Sequence, residues 1–150
     1  LDKDTSGLML IAKNRFYAKK FSEMFKLRKI KKRYLAIVNG KIKKNKGELY
    51  TKDILNGKEI VSKLYFEVIS KRNNFSYLEI DLITGRKHQI RKQFSDIGHP
   101  VVGDIKYGDN RNKNPLCLLS YEIEFEYKNK VKKYKAKIPK NFKTYLEKFF

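Results

Sequence analysis

A single cysteine in 150 residues leaves no partner for a disulfide and too few thiols for a Cys-based zinc site. Histidine is nearly as scarce. His88 and His99 lie eleven apart, without the i,i+4 spacing of a helical metal pair, and read as structural or ligand-contacting residues. Long hydrophobic runs are missing: the longest uncharged apolar stretch, Gly7–Ala12, falls far short of the roughly 20 residues a membrane-spanning helix needs. No secretory signal is read at the amino end, so the expected setting is cytoplasmic with no membrane partner. Gly103-Asp104 and Gly108-Asp109 lack the strand, glycine-rich loop and helix context of a nucleotide phosphate site. Tryptophan is absent, yet ten Phe and ten Tyr supply the apolar mass that a disordered basic tail lacks.

Acidic residues are the most telling shortage. Sixteen Asp and Glu face 36 Lys and Arg, a formal net charge of +20. Such an excess on one domain's length of chain calls for a polyanion, because Lys and Arg release counterions from nucleic-acid phosphates. A Lys-rich genome also inflates surface lysine, and only seven of the basic residues are Arg. No amphipathic helix shows the clean basic face of a membrane-surface binder.

Patterning along the chain outlines the elements. Leu8–Ala12 reads as a buried strand. Asn14 can cap a following helix on which Tyr17, Phe21, Met24 and Phe25 share a face, and which ends in the basic run Arg28–Arg33. Tyr34–Val38 is a second strand, closed by Asn39-Gly40, and Lys41–Gly47 reads as a solvated loop or hairpin tip. Lys63–Ser70 and Phe75–Ile83 flank Asn73-Asn74, good hairpin chemistry. His88–Ile97 reads as a helix stopped by Gly98, with a loop from His99 to Gly108. Leu116–Tyr127 is a long strand, turned by Lys128-Asn129-Lys130 into Val131–Ile138. Asn141 can then cap a terminal helix carrying Phe142, Leu146 and Phe149. The expected class is α+β, with a mixed, largely antiparallel sheet and flanking helices.

Two segments break the lysine-rich pattern. Leu1-Asp2-Lys3-Asp4-Thr5-Ser6-Gly7 places carboxylates, small hydroxyls and a glycine at a strand mouth, which suits a reactive carboxylate. The same residues also make an ordinary Asx or Ser/Thr turn. Thr84-Gly85-Arg86-Lys87-His88-Gln89-Ile90-Arg91 joins a strand end to a helix start, where free N–H groups favour anions. Solvated cations at a helix N-terminus would look alike. Glu122, Glu124 and Glu126 alternate with apolar residues and read as a solvated strand face rather than a metal site.

These segments, in this order, resemble the RluA-type family of RNA pseudouridine synthases. Leu1–Asn14 is similar to the family's aspartate motif, without the usual preceding His-Arg. Lys32–Gly40 is similar to its tyrosine motif, Leu82–Gly108 to its arginine motif, and Leu116–Phe125 to its final leucine-bearing strand. Lys87, Gln93 and Leu119-Ser120 depart from the usual residues without removing a reactive group. The resemblance implies roles. Asp2 is the catalytic carboxylate that drives cleavage of the glycosidic bond of uridine, by adding to the sugar or by assisting deprotonation there. Tyr34 stacks on the flipped base near its C5 proton. Arg91 pairs with Asp2, Leu118 packs under the base, and Thr84, Arg86 and His88 contact substrate. No metal or organic cofactor is implied. The partner is RNA, ribosomal RNA of the large subunit first and transfer RNA second. A non-catalytic basic RNA-binding module is the alternative, and a metal-dependent nuclease a weaker third that would need clustered carboxylates.

The family carries further strands before the aspartate motif, and often an RNA-binding domain of the S4 type. Residues 1–150 are therefore expected to be the later part of a catalytic domain. Its open sheet edges would favour self-association, and it would be weakly active or inactive alone.

Overall fold

The sheet is seven-stranded and follows the hairpin signals closely. A computed structural model describes residues 1–109 and 114–150. In chain order the elements are β1 (Ser6–Gly7), α1 (Arg15–Lys26), β2 (Ile30–Asn39), β3 (Lys46–Leu55), β4 (Lys58–Arg72), β5 (Phe75–Leu82), α2 (Gln89–Asp96), β6 (Leu118–Tyr127), β7 (Lys130–Lys135) and α3 (Lys140–Phe149). The strand order is β1-β6-β2-β5-β4-β3, and β7 also pairs with β6. Among the described residues only the short β1–β6 pairing is parallel; the other strand pairings are antiparallel. The α+β expectation of a mixed, largely antiparallel sheet with flanking helices is met.

Local chemistry explains the turns. Asn73 and Asn74 take φ of 48° and 61°, so the β4–β5 turn bends with the twist of its strands. Lys128 and Asn129, at 51° and 58°, do the same between β6 and β7. Asn14 accepts from the Tyr17 N–H at 3.1 Å and caps α1 as expected.

Strand alternation sorts the core into two layers. Ala36, Val38, Leu64, Leu78, Ile80 and Leu118 face α2, where Ile90 and Phe94 meet them. Leu35, Ile37 and Leu119 point the other way onto Phe142 and Phe149 of α3. Phe21 and Met24 of α1 pack on Ile30, Ile123 and Phe125. Among the described residues no helix is long and apolar enough to cross a membrane.

Several boundaries differ from the sequence reading. Leu8–Ala12 is not a buried strand: pairing stops at Gly7, and Met9 and Ile11 are 62% and 77% exposed. β1 runs along the edge of β6 only as far as Ser120, and from Glu122 onward that edge is taken by β7. Leu8–Ala12 is left with no described strand to join. The basic run Arg28–Arg33 crosses a junction instead of ending a helix: α1 stops at Lys26, Arg28 turns the chain at φ 56°, and β2 begins at the buried Ile30. Residues 46–62 form most of a hairpin that the pattern analysis left as loop or unread, although Asn56-Gly57 is a strong turn signal. β7 ends at Lys135, short of Ile138. Asn141 lies inside α3, whose cap position is Pro139, with the Pro139 carbonyl accepting from Lys143. Glu122 is buried, not solvated.

Candidate active site

A cleft of about 320 Å³ opens beside β2 and the start of β6, with Asp2, Tyr34, Arg86, His88 and Leu118 in its wall. These side chains come from separate stretches of chain. Tyr34 is delivered by β2 and Leu118 by the first residue of β6. Arg86 and His88 come from the segment between β5 and α2. Asp2 precedes β1 and is reached through a tight turn in which the Thr5 N–H donates to its carbonyl at 3.0 Å.

The turn is anchored one strand away. Gly7 has φ of +111°, and a Cβ there would collide with the Ser120 carbonyl oxygen. Only glycine therefore permits this approach to β6. The next residue, Leu8, donates its N–H to that same oxygen at 2.9 Å.

Arg91 rises from α2 behind the cleft and is buried. Its Nε and Nη2 donate to Asp104 Oδ2 and Oδ1 at 2.7 and 2.8 Å, a two-pronged pair. Its Nη1 lies 3.8 Å from Asp2 Oδ2. The arginine thus bonds to Asp104 and reaches Asp2 at longer range, a second partner the sequence reading missed. Asp104 is 2% exposed and also accepts the N–H groups of Lys106 and Tyr107, both at 3.0 Å. Burial alone would raise its pKa. The Arg91 guanidinium and those backbone donors outweigh that effect and hold it below the ordinary carboxylate value. Asp104 in turn, with Asp2 adding a smaller pull, raises the pKa of Arg91. A lone carboxylate after Val101-Val102-Gly103 is the sequence signal for such a partner, since an acid in an apolar loop needs a cation.

His88 bridges the two halves of the site. It has a left-handed φ of 54°, its Nδ1 is 3.0 Å from the Tyr107 hydroxyl, and its Nε2 is 3.8 Å from Asp2 Oδ1. His99 lies elsewhere, its Nδ1 bonded to the Asn39 carbonyl at 2.8 Å. Thr84 is buried and its hydroxyl is taken up: it accepts from the Lys63 N–H at 2.7 Å and donates to Gln89 Oε1 at 2.8 Å. Gln89 also accepts from the Arg86 N–H at 3.1 Å, so this network shapes the cleft wall from behind. Tyr34 has its phenol pKa raised, first by burial, with Ser120 pulling the other way and Asp2 adding to the rise. It is a neutral phenol near pH 7. Among the described residues no three His, Cys, Asp or Glu side chains are grouped to hold a metal ion.

The arrangement offers a carboxylate near two cationic or hydrogen-bonding groups, one aromatic face and one aliphatic floor, in a cleft of about 320 Å³. Known proteins resemble this chain in sequence and in fold. The family described as RNA pseudouridylate synthase matches residues 1–96. The chain is 40% identical over 135 residues to "Ribosomal large subunit pseudouridine synthase D" of Blochmanniella floridana, covering 82% of this chain and 41% of that protein. It is 35% identical over 132 residues to "Uncharacterized RNA pseudouridine synthase" of Aquifex aeolicus (strain VF5), covering 80% of this chain and 42% of that one. Among solved structures, "Human RNA Pseudouridylate Synthase Domain Containing 4" superimposes with a TM-score of 0.83 at 22% identity, covering 98% of this chain and 72% of that chain. The chain spans about half the length of the curated relatives it matches.

Proposed function

Because this chain belongs to the RNA pseudouridylate synthase family, we propose that the protein carrying it converts uridine in RNA to pseudouridine, with Asp2 as the catalytic carboxylate. The observation that carries this reading is the convergence of Asp2, Tyr34 and Leu118 on one cleft, with Arg91 behind Asp2.

The reaction is an isomerisation, so it needs no co-reactant. The bond between ribose C1′ and uracil N1 breaks, the base turns, C5 bonds to C1′, and the C5 proton is lost while N1 gains one. The Asp2 carboxylate adds to the sugar or takes a proton there; either path needs it ionised and aimed. Arg91, locked by Asp104, supplies a fixed positive charge at its back. Tyr34 offers a ring for an unstacked base and a hydroxyl near C5. Leu118 closes the apolar floor. The target base must leave any stack to enter.

The substrate is ribosomal RNA of the large subunit, the RNA named for several relatives, with transfer RNA the second choice. The expected location is the cytoplasm. Residues 1–150 form the later part of a catalytic domain, in keeping with relatives about twice as long; alone, they bind RNA better than they turn it over and tend to self-associate through exposed sheet edges. The bare RNA-binding alternative explains the net charge of +20 but not the grouping of Asp2, Tyr34 and Arg91.

The test maps pseudouridines in RNA from cells with and without the gene, then repeats the reaction with purified protein. Asp2→Asn is expected to lower turnover by about 10³-fold or more while RNA affinity stays within a few-fold. Turnover near wild type removes Asp2 from its role.

A further inference from the structure

Lys32 and Tyr34 stand two residues apart on β2, so their side chains leave the same face of the sheet. Both line the Asp2 cleft, yet the chemistry above gives Lys32 nothing to do. Its ammonium is half-buried and makes no ion pair or hydrogen bond with any described residue. Burial, and then the Arg28 guanidinium, lower its pKa. Other cations that leave water here meet a carboxylate: Arg91 meets Asp104, Arg33 meets Asp81, and Lys63 meets Glu48. A desolvated, unpaired ammonium is unfavourable until an anion arrives.

A second cavity, about 440 Å³, opens on the other side of Lys32. Its wall holds Lys26, Arg28, Lys32 and Arg86, and no carboxylate. It shares Phe25, Lys32, Gly85 and Arg86 with the Asp2 cleft, so the two spaces lie side by side against a common wall. Gly85 makes room at the junction: a Cβ there would lie 3.2 Å from Lys32 Nζ.

We propose that Lys32, with Arg28 and Arg86, seats one backbone phosphate of the RNA beside the nucleotide that enters the Asp2 cleft. The proposal rests on the RNA reading above and adds a contact of its own. A nucleotide's phosphate lies one sugar from its base, and Lys32 stands in the wall of both cavities. Arg28 and Arg86 can present planar forks to phosphate oxygens, while Lys32 supplies a point charge. This seat differs from the diffuse basic surface because it sets where along the strand the reacting nucleotide stops.

The probe is the uridine dinucleotide UpU, compared with its uncharged methylphosphonate analogue, with binding measured by calorimetry at low salt. Wild-type protein is expected to prefer UpU by about tenfold or more. Lys32→Gln removes most of that preference, and Lys143→Gln, on the exposed side of α3, keeps it. Gly85→Ala retains every charge but displaces the ammonium, and is expected to lower the preference about threefold. It disturbs only the end of a flexible side chain, so it stands in if Lys32→Gln does not fold. A preference that survives both variants undiminished overturns the seat and leaves the RNA reading intact. A wild-type protein that binds neither dinucleotide nor longer uridine-containing RNA overturns both.

Discussion

Arg91 and Arg33 are both surrounded by carboxylates, but only one is held in a single pose. Arg91 is buried and grips one acid, Asp104, through two bonds of 2.7 and 2.8 Å. Arg33 sits on the opposite face of the sheet with its side chain 35% exposed, and divides itself among Asp81, Glu79 and Glu122 at 3.1, 3.3 and 3.7 Å. Glu122 is shared again, with Lys133 at 3.0 Å and Lys135 at 3.2 Å. In the first region removal from water makes each bond directional and hard to replace. In the second, several charges share partners across β5, β2, β6 and β7, and solvent screens all of them except the buried Glu122. A fixed charge suits a place behind the carboxylate proposed to react, and an interchangeable one serves to cover a sheet.

Substitutions can break this contrast, from the largest effect to the smallest. Asp104→Asn leaves Arg91 buried without its counter-charge and is expected to cost about 3–5 kcal/mol of stability, read from denaturant midpoints. Turnover should fall with it, and a loss below about 1 kcal/mol would sink the contrast. Arg91→Lys keeps the charge but not the fork. It is expected to cost about 1.5–3 kcal/mol and to lower turnover well beyond its effect on RNA affinity.

Glu122→Gln should cost about 1 kcal/mol, because its basic partners are largely exposed. Proton linkage sharpens the point. Asp104 and Glu122 both have folded pKa values below the ordinary carboxylate value. Their contributions are present above the unfolded pKa and are lost as pH falls through the folded one. A stability curve measured downward from neutral pH should therefore flatten at its acid end in Asp104→Asn, and less so in Glu122→Gln. Arg33→Lys comes last, within about 0.5 kcal/mol and with turnover unchanged. A turnover loss equal to that of Arg91→Lys would erase the distinction between the two regions.

Features decided by a few adjacent residues were legible in the sequence. The Asn73-Asn74 turn, the Asn14 cap and the alternation of Leu78, Ile80 and Leu82 are of this kind. Leu8–Ala12 has the composition of a buried strand, but the β6 edge it would need is occupied by β7, a fact of topology rather than of pattern. β3 hid because its residues are mostly polar and exposed, as suits the last strand of a sheet. Glu122 looked solvated because its lysine partners arrive from β7. In the site, residue types at Asp2 and Arg91 left a turn and a helix start as rival readings; motif order was what singled them out. Asp104 and Lys32 escaped because their importance lies in what surrounds them: one has a partner thirteen residues away, the other has none among the described residues.

The close passage of Gly7 over Ser120 carries a consequence for observing the site without substrate. The Leu8 amide is bonded to the Ser120 carbonyl, whereas Asp2 to Asp4 lie beyond the Ser6–Gly7 pairing, held by the Thr5 to Asp2 turn bond and by the longer contacts of Asp2 with Arg91 and His88. In hydrogen–deuterium exchange the Leu8 amide should therefore be protected, and its protection should vanish in Gly7→Ala, where the added carbon forces the strand away. One amide signal at Leu8 then reports whether the carboxylate six residues earlier is still moored, and it does so before any RNA is added.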